Sequence, residues 1–244
     1  MVSSRRPRYG KVRGQTAVIR PAKQPGPRPT VVLIHGGFWR WPYGRWLMLL
    51  LARDVRSRGW ASLNVGYRRL GRFGGGGGYP ATFDDVRSAV DLLADHDDVV
   101  DLDRVVLVGH SAGGHLALWV VPETKIPLLG VISAAGVTNI ERARQTVGGA
   151  VHDLTEGAPE PDRYALTSPY HRVPIGVKTL CVHGDSDETV IERQSTGYVA
   201  VAREAGDDAE VQIIEGGRHR DAIVPSSNTW KAIAAALTDW FESS

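Results

Sequence analysis

Val105-Val106-Leu107-Val108-Gly109-His110-Ser111-Ala112-Gly113-Gly114-His115 is the stretch from which the rest of the chain can be read. Its β-branched apolar run is strand material, and the compact apolar residues 116–121 that follow can start a helix. Between them stands Gly109-His110-Ser111-Ala112-Gly113, a G-x-S-x-G match in the strand–turn–helix setting that this motif needs. Turning from strand into helix at one residue forces a strained backbone angle there, so the flanking positions must lack bulk; Gly109 and Gly113 supply that. The serine hydroxyl is then pushed out above the sheet, over a helix N-terminus with unpaired N–H groups. A serine so placed is a candidate nucleophile. It needs a base, an acid to orient the base, and donors for an oxyanion.

Working outward, Thr30-Val31-Val32-Leu33-Ile34-His35 is a second continuous apolar run, as suits a strand buried on both faces of a parallel sheet. Further strands are expected over 16–20, 60–65, 128–133, 177–183 and 210–214. Helices are expected over 43–58 with Gly59 as its stop, over 82–95, over 192–205 and over 226–241. Thr82 reads as a cap with Asp84 and Asp85 in the first turn, and Ser226 or Ser227 caps the last helix. Strands alternate with helices from residue 30 onward, so the fold class is α/β, with a mostly parallel central sheet covered by helices on both faces. Two stretches depart from this pattern. Residues 66–80 form a long loop holding five consecutive glycines, Gly74 to Gly78, which reads either as a plain connector or as a flexible wall of a substrate entrance. Residues 134–176 are rich in Gly, Pro and charge, with one short helix near 140–145, and are too long for an ordinary connection. The expected organisation is a basic arm with a first short strand over 1–29, then one domain over 30–244 with a small cap-like insertion at about 135–176.

The chain has 244 residues, 42% hydrophobic and 23% charged, ordinary values for a soluble α/β domain. Its one cysteine, Cys181, lies in the apolar run 179–182 and reads as a core residue. No intrachain disulfide is possible, which points to a reducing, cytoplasmic setting. The net charge is only +2, yet eleven Lys or Arg precede the first acidic residue, Asp54. Those basic residues are interleaved with Pro and Gly and no nucleic-acid motif follows, so the arm reads as solvated and partly mobile, with no nucleic-acid partner. Ser3-Ser4-Arg5-Arg6 resembles a twin-arginine signal but lacks the apolar segment, so no export is read. No apolar run approaches membrane-spanning length, so no membrane partner is expected. Nothing in the sequence sets an oligomeric state.

Eight histidines compete for the role of base: His35, His96, His110, His115, His152, His171, His183 and His219. His219 is preferred, because it follows the last strand in a Gly-rich loop and so lies on the edge where the other strands end. His35 and His183 each end a strand and read as structural. Adjacency to Ser111 does not make His110 or His115 the base; His110 is placed instead at the substrate side, together with Trp39. An imidazole needs an acceptor for its second N–H. After His183 come two rivals for this, Asp185 and Asp187. Asp187 is preferred, since Asp185 is better placed to brace the turn through local backbone bonds. For the oxyanion, the N–H of Ala112 is one donor, and Gly37 and Phe38, in the Gly-rich turn after the 30–35 strand, offer two more. No metal or organic cofactor is required.

With these residues assembled, the chain resembles an α/β-hydrolase of the esterase and lipase type, whose chain order of nucleophile, acid and base is that of Ser111, Asp187 and His219. His35-Gly36-Gly37-Phe38-Trp39 resembles the HGGxW box of kynurenine formamidase-like hydrolases, in which the second glycine and the next residue give the oxyanion donors. Gly184-Asp185-Ser186-Asp187-Glu188-Thr189-Val190 is similar to the acid loop of prolyl-oligopeptidase-type and esterase relatives, and His219 through Ser227 to their histidine loop and last helix cap. The resemblance spans roughly residues 30–242. It departs at Arg220, where relatives often carry an aromatic residue, and the chain lacks the propeller of the large oligopeptidases. What it implies is a serine hydrolase of small carboxylic esters acting through an acyl-enzyme. The same machinery serves an arylformamidase acting on N-formylkynurenine-like amides, and a hydrolase-fold binding protein without turnover is the reading from another class.

Overall fold

The computed structural model describes residues 3–244; the first two residues of the expected arm lie outside the described residues. Seven strands, β1 (Ala17–Arg20), β2 (Arg28–Ile34), β3 (Ala61–Val65), β4 (Val100–His110), β5 (Gly130–Ala134), β6 (Lys178–Gly184) and β7 (Ala209–Ile214), form one sheet in the order β1-β3-β2-β4-β5-β6-β7. β1 pairs antiparallel with β3, and every other pairing is parallel. The helices are α1 (Leu49–Ser57), α2 (Ala81–Asp91), α3 (Ala112–Val120), α4 (Ile140–Thr155), α5 (Arg163–Thr167), α6 (Arg193–Glu204) and α7 (Asn228–Glu242).

The continuous apolar strands are buried on both sides, as their composition requires. Side chains alternate across a strand. Val32, Ile34 and Leu107 therefore pack with Val86, Leu116 and Val199 of α2, α3 and α6. Val31, Leu33, Val106 and Val108 pack on the other face with Leu51 and Val55 of α1 and Trp230, Ile233 and Leu237 of α7. From β2 the chain first builds β3 on one side and then crosses to build β4 on the other. The direction of winding thus reverses between β2 and β4, and a crevice opens outside the carboxyl ends of those strands. The serine turn and the His35-Gly36-Gly37 turn are the two segments that leave these ends.

α3 is buried along its whole length. A helix apolar all round needs cover on every side, and the excursion between β5 and β6 provides it. His115 Nε2 lies 2.7 Å from the Thr167 carbonyl, and the Trp119 indole N–H donates to the Leu166 carbonyl at 2.7 Å. The helix expected over 140–145 runs on to Thr155, bending at Val147 (φ −118°, ψ 20°). Beyond Gly148-Gly149, Ala150, Val151 and Leu154 are buried, and that burial carries the helix past the glycines.

Three other local expectations are corrected. The helix placed over 43–58 begins as a tighter 3₁₀ turn, Arg45–Met48, before α1. Thr82 is not the cap of α2; Pro80 takes that position, while the Thr82 hydroxyl donates to the Arg68 carbonyl and accepts from the Gly78 N–H. The glycine loop is folded back tightly. Arg69 N–H donates to the Gly74 carbonyl at 2.7 Å and Gly77 N–H to the Arg69 carbonyl at 2.9 Å, and a Cβ on Gly74 would overlap the Arg69 carbonyl.

The arm is likewise docked. Arg5 and Ile19 exchange backbone hydrogen bonds, Arg5 pairs with Asp98, and the Tyr9 hydroxyl donates to the Gly66 carbonyl. Asp85, expected only as a favourable first-turn charge, holds this corner together. It is 1% exposed, and it accepts from Arg68 N (2.8 Å), Nε (2.9 Å) and Nη2 (2.7 Å) and from Gln15 Nε2 (2.8 Å). Asp85→Ala strands the Arg68 guanidinium and should cost about 3 kcal/mol, read as a lower urea midpoint at unchanged slope. A loss under about 1 kcal/mol would mean that the pair behaves like a surface ion pair.

Candidate active site

β4 delivers Ser111 on a turn with φ 55° and ψ −121°, a left-handed conformation that costs a non-glycine residue of order 1–3 kcal/mol. The surroundings hold it there. Ser111 N–H donates to the Ala134 carbonyl at 2.9 Å, and its carbonyl accepts from His115 N–H at 3.2 Å. The flanks are too tight for bulk: a Cβ on Gly113 would overlap the Ile34 carbonyl, and one on Gly36 would sit 2.9 Å from the Ser111 Cβ. Gly36 is therefore what lets the loop after β2 lie directly against the serine. Phe38 (φ 54°) and Trp39 (φ 56°) continue that loop in the left-handed region, a second site of stored strain. Among the described residues, the N–H groups of Gly37 and Phe38 are engaged by no other group. The N–H of Ala112, first residue of α3, is among those a helix start leaves free.

The loops after β6 and β7 bring the other two predicted residues together. His219 Nδ1 lies 2.7 Å from Asp187 Oδ2. The second Asp187 oxygen accepts from Thr189 N–H at 2.8 Å and Val190 N–H at 2.9 Å. Burial works to raise the Asp187 pKa, but bonds from His183, His219 and the Val190 N–H outweigh it and hold the carboxyl well below the ordinary range. Asp185 does not reach the histidine; its carboxylate accepts from Gly216 N–H at 2.8 Å and braces the turn.

His183, a strand-end histidine in the sequence, supports this carboxylate. Its Nε2 lies 2.8 Å from the Val190 carbonyl and 3.3 Å from Asp187 Oδ2, and Nδ1 lies 2.7 Å from the Ser195 hydroxyl. A carbonyl can only accept, so Nε2 carries a proton. The sequence signal for this role is the spacing of His183 and Asp187 in one loop.

His110 and Trp39, expected at the substrate side, do other work. His110 is 6% exposed, and its Nε2 donates to the His219 carbonyl at 2.8 Å, with the two rings 4.7 Å apart. Burial, reinforced by the nearby His219, lowers its pKa to about 3, so it stays neutral. It thus ties the histidine loop to the residue preceding the serine. Trp39 is 1% exposed; its indole N–H donates to His115 Nδ1 at 3.2 Å, and its ring meets His115 edge-on. It is core, because the left-handed turn at Phe38 and Trp39 swings the indole inward. Cys181 is buried, with its thiol pushed up to about 12 by burial, so it offers no nucleophile.

A cleft of about 430 Å³ opens between α4 and the acid loop. Val137, whose N–H points at the Ser111 carbonyl (3.4 Å), and Val190 form part of its wall. Asn139, Arg142, Thr189 and Arg193 add polar surface. Gln194 keeps the excursion in place, its Oε1 accepting from Thr138 N–H (3.0 Å) and Asn139 N–H (2.7 Å). The glycine loop takes no part in this lining; Tyr79 N–H ties it to the Leu154 carbonyl of α4 at 2.7 Å. Among the described residues, no helix is long and apolar enough to cross a membrane.

Comparison with known proteins agrees with this architecture. A kynurenine formamidase of Aspergillus versicolor is 28% identical, the match covering 72% of this chain and 76% of the relative. An esterase of Mycobacterium tuberculosis is 26% identical over 77% of this chain, which spans 49% of that longer protein. Among solved structures, esterase B from Lactobacillus rhamnosis superposes with a TM-score of 0.83 at 19% identity, covering 99% of this chain and 86% of that one. A thermophilic esterase from Thermogutta terrifontis gives 0.77 at 22% identity, covering 97% and 92%. The model of the prolyl oligopeptidase family matches residues 77–244, from the glycine loop through the serine turn, the acid loop and the histidine loop to the end of α7. With the seven-stranded, mostly parallel sheet already described, this chain is an α/β-hydrolase belonging to the prolyl oligopeptidase family.

Proposed function

We propose that this protein is a serine hydrolase of small carboxylic esters. The observation that carries the reading is the 2.7 Å contact between His219 and Asp187 on a loop that His110 fastens beside Ser111. In this mechanism His219 Nε2 takes the Ser111 proton as the hydroxyl oxygen attacks the substrate carbonyl. The tetrahedral oxyanion is met by the N–H groups of Gly37, Phe38 and Ala112, donors that no group among the described residues competes for. Collapse expels the alcohol, which takes the proton from His219, and leaves an acyl-Ser111 ester. Water, deprotonated by the same imidazole, then releases the acid and restores the serine. Asp187 holds the tautomer with the proton on Nδ1 and stabilises the imidazolium. Every step uses side chains and backbone of this chain. The lone buried thiol is what supports a reducing, cytoplasmic setting.

Short acyl groups are favoured because the cleft between α4 and the acid loop, which reaches the serine turn through Val137, is modest and carries polar and cationic side chains rather than a continuous apolar tunnel. One observation favours a second reading, an arylformamidase: the likeness to a kynurenine formamidase. A formyl group is the smallest acyl group the site could meet, and the amide uses the same residues. Turnover of p-nitrophenyl acetate, p-nitrophenyl hexanoate and N-formylkynurenine separates the two. The ester reading expects acetate to exceed hexanoate by about tenfold or more in kcat/KM, one methylene being worth roughly 1–3 kcal/mol in a fitted pocket. Turnover of the formamide alone would transfer the assignment to the amidase. Failure of a fluorophosphonate probe to label the folded protein would remove catalysis altogether and leave a binding protein.

A further inference from the structure

A second cavity of about 430 Å³ lies beside the same loop, between the N-terminal arm, β1 and the segments that follow β2 and β3. Five arginines reach it, Arg6, Arg13, Arg20, Arg45 and Arg69, and no Asp or Glu shares its lining. Among the described residues none of the five forms an ion pair, although eight other arginines do. Like charges crowded together without a counter-charge are unfavourable. Burial first, then repulsion by Arg53, Arg6 and Arg56, pushes Arg20 below the ordinary arginine range; burial first, then repulsion by Arg6, does so for Arg45, and burial does the same to Arg69.

An independent feature is His35. It is 1% exposed and lines this cavity. Its Nδ1 donates to the Gly36 carbonyl at 2.8 Å, its ring stacks on Tyr67, and its Nε2 has no partner among the described residues. Burial, opposed by the Gly36 bond and aided by Arg69 and Arg45, lowers its pKa to about 3, so Nε2 is a bare acceptor. A buried acceptor left unfilled is costly. At the rim, Trp46 stands 56% exposed and offers a flat apolar face.

We infer that this cavity is a binding site, separate from the cleft between α4 and the acid loop, for a small diphosphate-bearing molecule. Guanidinium groups grip phosphoryl oxygens in bidentate fashion. Five of them exceed what a single phosphate neutralises, which selects a diphosphate over a monophosphate. The volume is in the range of small-molecule sites. The arm that looks like loose basic chain in the sequence is thus one wall of the site, folded against the sheet edge.

Titration calorimetry on the full chain, in about 150 mM salt so that loose surface charge is screened, tests this with inorganic pyrophosphate, ADP, inorganic phosphate and duplex DNA. Pyrophosphate should bind saturably, one per chain, about tenfold or more tighter than phosphate. The double variant Arg6→Glu/Arg13→Glu, changed at two exposed arm positions, should weaken it by at least about tenfold while circular dichroism and the thermal midpoint stay those of the parent. ADP binding tighter than pyrophosphate, with the gain lost in Trp46→Ala, identifies a nucleotide as the source of the diphosphate; equal affinities identify the free anion. The inference is overturned by absence of saturable pyrophosphate binding at millimolar concentration, or by equal affinity in the double variant. DNA binding that pyrophosphate does not displace would also overturn it. None of these readings requires hydrolytic activity.

Discussion

Ser111→Ala is expected to lower ester turnover by on the order of 10⁶-fold, which is about 8 kcal/mol of transition-state stabilisation. The proposed chemistry runs through one oxygen. Without it no acyl-enzyme forms, and what remains is the rate that positioned N–H donors lend to water, roughly 10³-fold over solution. The fold should tolerate the change. Ser111 is held through its backbone, by the Ala134 carbonyl and the His115 N–H, and alanine keeps both bonds. It keeps the strained φ of 55° as well. The variant should therefore match the parent in thermal midpoint to within a few degrees, lose fluorophosphonate labelling, and bind substrate with a KM-like constant close to the parent's. Retention of more than about 1% of the parent turnover by Ser111→Ala would end the nucleophile assignment.

Asp187→Asn should cost about 10⁴-fold in kcat with little change in KM. The asparagine side chain offers His219 Nδ1 an amide that can donate as readily as accept, so the imidazole is no longer held with its free lone pair toward the serine. The same substitution carries a second signature, in stability. In the folded chain the Asp187 carboxyl titrates well below its ordinary value, because three protein donors favour the charged form. A group depressed by folding contributes stability that is fully present above its unfolded pKa, about 4, and lost as the pH falls toward the folded value. The parent should therefore lose stability on acidification below about pH 4 more steeply than Asp187→Asn, measured by urea unfolding at pH 3 and pH 7. Identical slopes for the two proteins would show that the carboxylate is not held as the geometry describes. His183 explains why the site is braced from both sides: it contacts Asp187 from the interior while the partly exposed His219 contacts it from the other side.

The strands of the central sheet were legible because a run such as Val31 to Ile34 has no polar residue to turn toward water, so burial on both faces is the one arrangement it fits. Ser111 was legible because Gly109 and Gly113 stand where only the smallest residues can pass the turn, and the alternation of elements after residue 30 set the sheet's parallel character. Sequence by itself thus determined the fold class, the serine turn and the order of the three proposed catalytic residues along the chain. Only the tertiary structure decided which of Asp185 and Asp187 meets His219, since the two lie in one loop and differ in the direction a tight turn sends them. Only it showed that Trp39 and His110 point into the protein, that Asp85 is an interior partner of Arg68, and that a basic arm folds into one wall of an arginine-lined cavity. Those outcomes depend on which way a side chain points and on what other segments bring beside it. Composition and spacing register neither quantity, because contacts between residues far apart in the chain come into being when the sheet assembles.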